Sequence, residues 1–304
     1  MNRTQTINHL KGIFPAVVSP FDKTGKLDEG MFRSNLGRYA GMGLGGVVVS
    51  GSTGEAPYLT GRERLRLVEV ARSILKPPEL LIAGTGLEST AATLELSQEA
   101  IRRGADALLL LPPAYYKPVM RSDVLIRHYR ALADQLRRPL IIYSIPQFSG
   151  IAIEPATIAH LSRHPNIIGL KESSGDMEFL RAVLRRVRPG FRVLCGSPAR
   201  LLQALRLGAA GGVLGPANFV PQLCIGIYDA FAKRQYKRAE ELQQKLTPLV
   251  QPISGAYGVP GIKAALSLAG YAGGYPRPPL QPVDAKGKRA ILAALNAARA
   301  SLDV

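Results

Sequence analysis

Eight short apolar runs, each followed by an amphipathic stretch, recur between Gly12 and Ala232. Strands are predicted at Gly12–Phe21, Gly46–Ser50, Leu80–Thr85, Ala107–Leu111, Leu140–Ile145, Ile167–Leu170, Phe191–Leu194 and Gly212–Leu214. These runs are continuously apolar rather than alternating, the pattern of parallel strands covered on both faces. Helices are predicted between them, at 28–39, 61–75, 89–103, 122–136, 155–162, 177–187, 199–207 and 221–232. Local punctuation agrees: Thr60 and Glu63 have capping-box spacing, Ser122 is a candidate cap, and Gly104 and Gly208 stand at helix ends. Eight strand–helix units argue for an α/β fold, a closed (β/α)8 TIM barrel, rather than an open sheet. Three further helical patterns follow at 234–249, 261–268 and 285–302. The chain is therefore read as a barrel catalytic domain over 1–232 and a C-terminal helical extension over 233–304.

Composition removes several classes of function. Hydrophobic residues make up 46% and charged residues 20%, close to globular averages, which excludes disorder as the main state. No apolar run reaches the 18 or more residues of a membrane span. The start, MNRTQTINHLKG, has no apolar core of the kind a secretory leader needs, so a cytoplasmic location is expected. Two cysteines and four histidines give no spaced ligand set, so no metal is expected. No Gly-x-Gly-x-x-Gly with an acidic partner follows a strand, so no dinucleotide cofactor is expected. The net charge of +17 attracts anions, and a non-catalytic anion- or nucleic-acid-binding protein is the rival reading. The arginines are spread over helical patterns, without a basic block or interleaved aromatics, and this favours a solvated basic surface with no nucleic-acid partner.

In a barrel of this kind chemistry sits where strands end. After the sixth run stands Lys171, in Gly169-Leu-Lys-Glu-Ser-Ser. A lysine there is poorly hydrated, and a neutral amine in an apolar pocket attacks a ketone to form a Schiff base. The alternative is a lysine that snorkels to the rim or pairs with Glu172. After the fifth run stands Tyr143, able to face Lys171 from the neighbouring strand, where a phenol moves protons; alternatively it is a core tyrosine with one satisfied hydroxyl. After the second run, Gly51-Ser-Thr-Gly-Glu offers backbone N–H groups and two hydroxyls to an anion, or is simply a tight turn.

Taken in this order, the motifs resemble the pyruvate-dependent class I aldolase family that includes dihydrodipicolinate synthase and N-acetylneuraminate lyase. The markers are GSTGE (51–55), GTG (84–86), GADAL (104–108), YSIP (143–146), GLKESSGD (169–176) and GIK (261–263). The resemblance covers nearly the whole chain. Within the family it is similar to the 4-hydroxy-2-oxoglutarate aldolase branch, through GSTGEAPYLTGRERL, AYYK, HPNIIGLKESSGD, YGVPGIK and GYAGGYPRPPLQ. It implies that Lys171 carries the imine with pyruvate or an oxo acid, needing no cofactor. Tyr143 would be the acid/base, with Ser52 in its proton relay. Ser52 and Thr53 would hold the carboxylate, and Tyr115 would reach a neighbouring subunit's site in a homodimer or homotetramer. Ser173, Gly196 and Leu214 would line the substrate end.

One departure bears on the substrate. Dihydrodipicolinate synthases place an arginine, after the strand that carries the tyrosine, on the carboxylate of the aldehyde partner. Phe148 stands there in this chain, and an apolar ring cannot make a bidentate clamp. The preferred reaction is cleavage of 4-hydroxy-2-oxoglutarate to pyruvate and glyoxylate; the alternative is condensation of pyruvate with aspartate semialdehyde. Lysine regulation, common among the synthases, is not expected, because its contact positions read Ala56, Gly61, Arg64, Glu88, Ala92 and Ala114.

Overall fold

A computed structural model of the chain describes residues 2–300. Its eight parallel strands are β1 (Gly12–Pro15), β2 (Gly46–Val49), β3 (Leu80–Gly84), β4 (Ala107–Leu110), β5 (Leu140–Ser144), β6 (Ile167–Glu172), β7 (Arg192–Cys195) and β8 (Gly211–Leu214). From β2 to β8 each strand pairs with its neighbours in sequence, and β1 pairs with β8. The last seam, between β1 and β2, is closed by the Ala16–Val48 bridge and by the Gly45 N–H donating to Ile13 O at 2.9 Å. The result is the (β/α)8 TIM barrel that the eight apolar runs imply.

Closure dictates residue types. At the β1–β8 seam Gly12 pairs with Gly211, and a Cβ on Gly211 would stand 1.9 Å from the Gly12 carbonyl oxygen, so only glycine fits. Side chains divide between two cores. Phe14, Val48, Ile82, Leu109, Ile141 and Leu194 fill the barrel. The alternate residues, such as Val49, Leu108, Ile142 and Leu170, pack outward against the helices.

Those helices are α2 (Glu29–Tyr39), α3 (Gly61–Ile74), α4 (Thr90–Arg102), α5 (Ser122–Gln135), α6 (Pro146–Ser149), α7 (Pro155–Ser162), α8 (Met177–Leu184), α9 (Leu201–Leu207) and α10 (Pro221–Ala232). The capping box at Thr60 and Glu63 is formed. Ser122 is not a cap: Arg121 holds that position, and Ser122 Oγ donates to Glu154 instead. The C-terminal segment forms α11 (Tyr236–Val250), a π-helical turn at Gln251–Gly255, α12 (Ala256–Leu268) and α13 (Ala285–Ala300). Leu302, the predicted end of the last helix, lies outside the described residues. α11 packs on α9 and α10, and α13 packs on α11 and α12. Among the described residues no helix is long and apolar enough to cross a membrane.

Among the differences from the sequence reading, three bear on the barrel and its mouth. The first strand stops at Pro15; beyond it Pro20 interrupts the ladder, and Phe21 pairs singly with Leu27 and Tyr275. The sixth strand runs two residues further, so Lys171 and Glu172 belong to it. An N-terminal helix, α1 (Arg3–His9), precedes the barrel. It has too few apolar positions to make a stripe, but Asn2 and Gln5 form a capping box. It delivers Leu10, fully buried, into the barrel interior, with Ile7 packed beside it. Leu10→Ala is expected to cost about 2–5 kcal/mol in a denaturant titration. A loss below about 0.5 kcal/mol, the usual range for surface changes, would show that Leu10 does not seal the barrel.

Candidate active site

The mouth at the C-terminal strand ends holds a cavity of about 210 Å³. Its chemistry comes from adjacent strands. β5 and β6 pair with Tyr143 directly beside Lys171. A register shift near the start of that pairing, between Leu140 and Ile141, sets which β6 residues face inward at the mouth. Lys171 is 4% exposed, and its Nζ lies 4.0 Å from the centre of the Tyr143 ring. No carboxylate pairs with Lys171 among the described residues. Glu172, the partner that sequence left open, accepts instead from the Ser174 N–H at 2.6 Å. Burial raises the Glu172 carboxyl above its ordinary value, against the opposing hydrogen bonds from Ser174.

Ser52 and Thr53 line the same cavity from the turn after β2. Ser52 Oγ stands 3.3 Å from the Tyr143 hydroxyl, within hydrogen-bond reach. The turn is stapled by Ala56 N–H to Gly51 O and by Ser19 Oγ to Gly54 O. Ser173 also lines the cavity, and its buried Oγ has no hydrogen-bond partner among the described residues. Gly196 is pressed against it: a Cβ there would lie 1.8 Å from Ser173 Oγ. Six of the eight residues singled out in the sequence therefore surround one cavity.

The other two do not. Leu214 turns outward into the core between barrel and helices, because side chains alternate along β8; its neighbour Val213 faces the cavity instead. Tyr115 is 77% exposed, its ring edge-on to Tyr116, and its N–H shares the Glu88 carboxylate with the Ala114 N–H.

Sequence reading also missed lining residues. Gln147 donates its amide to the Ser173 carbonyl at 2.7 Å. Ser254, Gly258, Val259 and Ile262 arrive from the C-terminal segment, which turns at Gly258 (φ 58°). The YGVPGIK motif marked that stretch, but no local pattern shows that it folds back over the barrel. Phe148, 70% exposed, stands at the rim. Lys171 is the only basic side chain that lines the cavity among the described residues.

A lysine held dry beside a tyrosine, at the mouth of a (β/α)8 barrel, is an arrangement compatible with class I aldolase chemistry, in which an amine adds to a ketone. The family model described as "Dihydrodipicolinate synthetase family" matches residues 9–298, and the chain belongs to that family. Its members are pyruvate-dependent lyases that form a Schiff base on a lysine and need no external cofactor. The chain is similar to 4-hydroxy-tetrahydrodipicolinate synthase of Methanothrix thermoacetophila, 35% identical over 90% of this chain and 92% of that protein. It is 36% identical to 4-hydroxy-tetrahydrodipicolinate synthase 1 of Streptomyces coelicolor, over 92% of this chain and 91% of that one. A dihydrodipicolinate synthase structure from Cyanidioschyzon merolae, with lysine bound, superposes with a TM-score of 0.90 at 29% identity, covering 96% of this chain and 99% of that one.

The packing of Gly196 on Ser173 generates a test. Gly196→Ala is expected to push the serine hydroxyl out of place and lower kcat/KM by about tenfold or more. An alanine variant within twofold of wild type, roughly 0.4 kcal/mol, would show that Ser173 Oγ tolerates displacement.

Proposed function

We propose that Lys171 is the imine-forming lysine and that the chain cleaves a 4-hydroxy-2-oxo acid to pyruvate and an aldehyde. The observation that carries this reading is the chain of contacts from Lys171 to Tyr143 to Ser52. The lysine Nζ adds to the C2 carbonyl and water leaves. The protonated imine draws the electron pair of the C3–C4 bond as it breaks, and the C4 hydroxyl loses its proton as the aldehyde forms. Tyr143 takes and returns protons, with Ser52 as relay; C3 of the remaining enamine gains a proton, and water adds back to the imine to release pyruvate and the free lysine. Ser52 and Thr53 hold the oxo-acid carboxylate, with Ser173 beside the reacting carbons. Tyr115 is free to enter the site of a neighbouring subunit, which would make the working unit at least a dimer.

The preferred substrate is 4-hydroxy-2-oxoglutarate, giving pyruvate and glyoxylate. The motifs shared with the 4-hydroxy-2-oxoglutarate aldolase branch support it over condensation of pyruvate with aspartate semialdehyde, the reaction that the names of the relatives suggest. Phe148 replaces the arginine clamp that the synthases place on the aldehyde's carboxylate, and a phenyl ring supplies none for either aldehyde.

Treatment with pyruvate and borohydride is expected to add a stable mass at Lys171, absent from Lys171→Ala. Labelling at another lysine would reject the mechanism. Tyr143→Phe keeps the packing and is expected to lower turnover by roughly 10²–10⁴-fold; a variant within a few-fold of wild type would make Tyr143 a packing residue. Coupled pyruvate release from 4-hydroxy-2-oxoglutarate is expected to exceed ring-product formation from aspartate semialdehyde in kcat/KM, and millimolar L-lysine is expected to inhibit neither. Arg64 is buried and donates to Ala56 O at 2.6 Å, so it stands as a fixed cation against a cationic ligand. A dominant semialdehyde reaction, or clear lysine inhibition, would place the chain among the synthases.

A further inference from the structure

Lys263 is 1% exposed and takes part in no step described above. Its Nζ pairs with the Glu55 carboxylate and donates to the carbonyls of Ser19 and Tyr275, each at 2.7 Å. The Phe21 ring lies 4.4 Å from it, with the Arg277 guanidinium 4.1 Å from the same ring. The three oxygen partners come from three separate segments: the loop after β1, the turn after β2, and the stretch between α12 and α13. One ammonium thus ties together three segments at the barrel mouth.

Two of the tied parts are walls of the active-site cavity. Glu55 closes the Gly51-Ser-Thr-Gly-Glu turn; its N–H donates to Ser52 O at 3.1 Å, and its second carboxylate oxygen accepts from the Arg277 N–H at 2.9 Å. Glu55 adopts left-handed backbone geometry, φ 56°, which a non-glycine residue holds only when its surroundings impose it. Lys263 lies on α12, whose residues Gly258, Val259 and Ile262 face the same cavity. A buried ion pair is a poor device for stability alone, since desolvation consumes most of its gain. Here the pair has a geometric consequence, because it fixes the turn that aims Ser52 at Tyr143.

We infer that Lys263 is a positioning residue: through Glu55 it sets the Ser52 and Thr53 hydroxyls, and it docks the α12 wall against them. The inference rests on the reading that these hydroxyls hold the oxo-acid carboxylate. Burial holds Lys263 down at about 8, with Glu55 opposing that shift and Arg277 reinforcing it. Arg277 is itself paired with Glu63 of α3 at 2.5 Å. The tie is complete while Lys263 is protonated and loosens as pH rises through that value.

The test uses Lys263→Met, which keeps length and apolar volume, and Glu55→Gln, which keeps shape and removes charge. Imine trapping with borohydride is titrated against pyruvate, and melting is followed in parallel. Each variant is expected to raise the half-saturating pyruvate by about tenfold or more, while saturating pyruvate still labels Lys171. The double variant is expected to be no worse than about twofold beyond either single one, because both act through one contact. The ratio of Lys263→Met to wild-type half-saturation should fall toward one above about pH 8, a change that a purely structural role would not produce. Half-saturation unchanged in both variants, even with a lowered melting temperature, overturns the inference while leaving the aldolase reading intact. A wild-type protein that traps no pyruvate overturns both. Should Lys263→Met fail to fold, the isosteric Glu55→Gln carries the same expectation and the same refutation.

Discussion

A parallel strand in a closed barrel is dry on both faces, so a polar side chain on it must find a partner or stand at the strand's end. β6 meets this constraint at two successive residues. Lys171 turns inward to the cavity and Glu172 turns away from it, where Ser174 supplies an N–H. Because the residues alternate, the amine and the carboxyl lie on opposite faces of the strand rather than pairing with each other. The same rule keeps the neighbouring Cys195 inert: it is buried in the outer core, and desolvation pushes its thiol up to about 12. Reactive polarity is thus confined to the mouth.

The two buried lysines illustrate how environment divides labour between identical side chains. Lys263 donates to two carbonyls and is paired with a carboxylate, so its ammonium is surrounded by oxygen. Lys171 has an aromatic face at 4.0 Å and an open cavity. A ring face attracts an ammonium yet takes up no N–H donor as a carboxylate would, so the amine is oriented but not satisfied. An amine of that kind can still react; one that is fully coordinated cannot.

The barrel is legible in the sequence because its signal repeats: eight apolar runs, each followed by an amphipathic stretch, have few other solutions. Lys171, Tyr143, Ser52 and Thr53 were legible for a related reason, since strand ends locate the mouth once the strands are placed. The misses share another cause. α1 leaves no periodic stripe to read, because so short a helix buries only Thr6 within it and Leu10 at its end. The family motif points Leu214 at the cavity, but a shift of one residue along β8 moves a side chain to the opposite face. The C-terminal wall, with Ser254 and Ile262, depends on a fold-back at Gly258 that tertiary contacts impose. Nothing within that stretch encodes which end of the barrel it covers.

The cavity is built of two materials. The half that holds Lys171, Tyr143 and Ser173 is strand, or sits directly on a strand end, and its geometry is fixed by ladder hydrogen bonds shared with the rest of the barrel. The far half is made from loop and helix-end residues: Gln147 and Phe148 on the single turn α6, Ser254 on the π-helical turn, and Val259 beside the kink. Changing Phe148 disturbs little, because its ring is mostly in solvent; changing Lys171 or Tyr143 disturbs a buried register. On the proposed reading, the first half handles the oxo acid that every cycle uses, and the second half meets the aldehyde. Such a division lets one barrel keep its imine chemistry while the rim is rebuilt for another aldehyde, and it explains why motifs on the strands identify the reaction class more firmly than they identify the substrate.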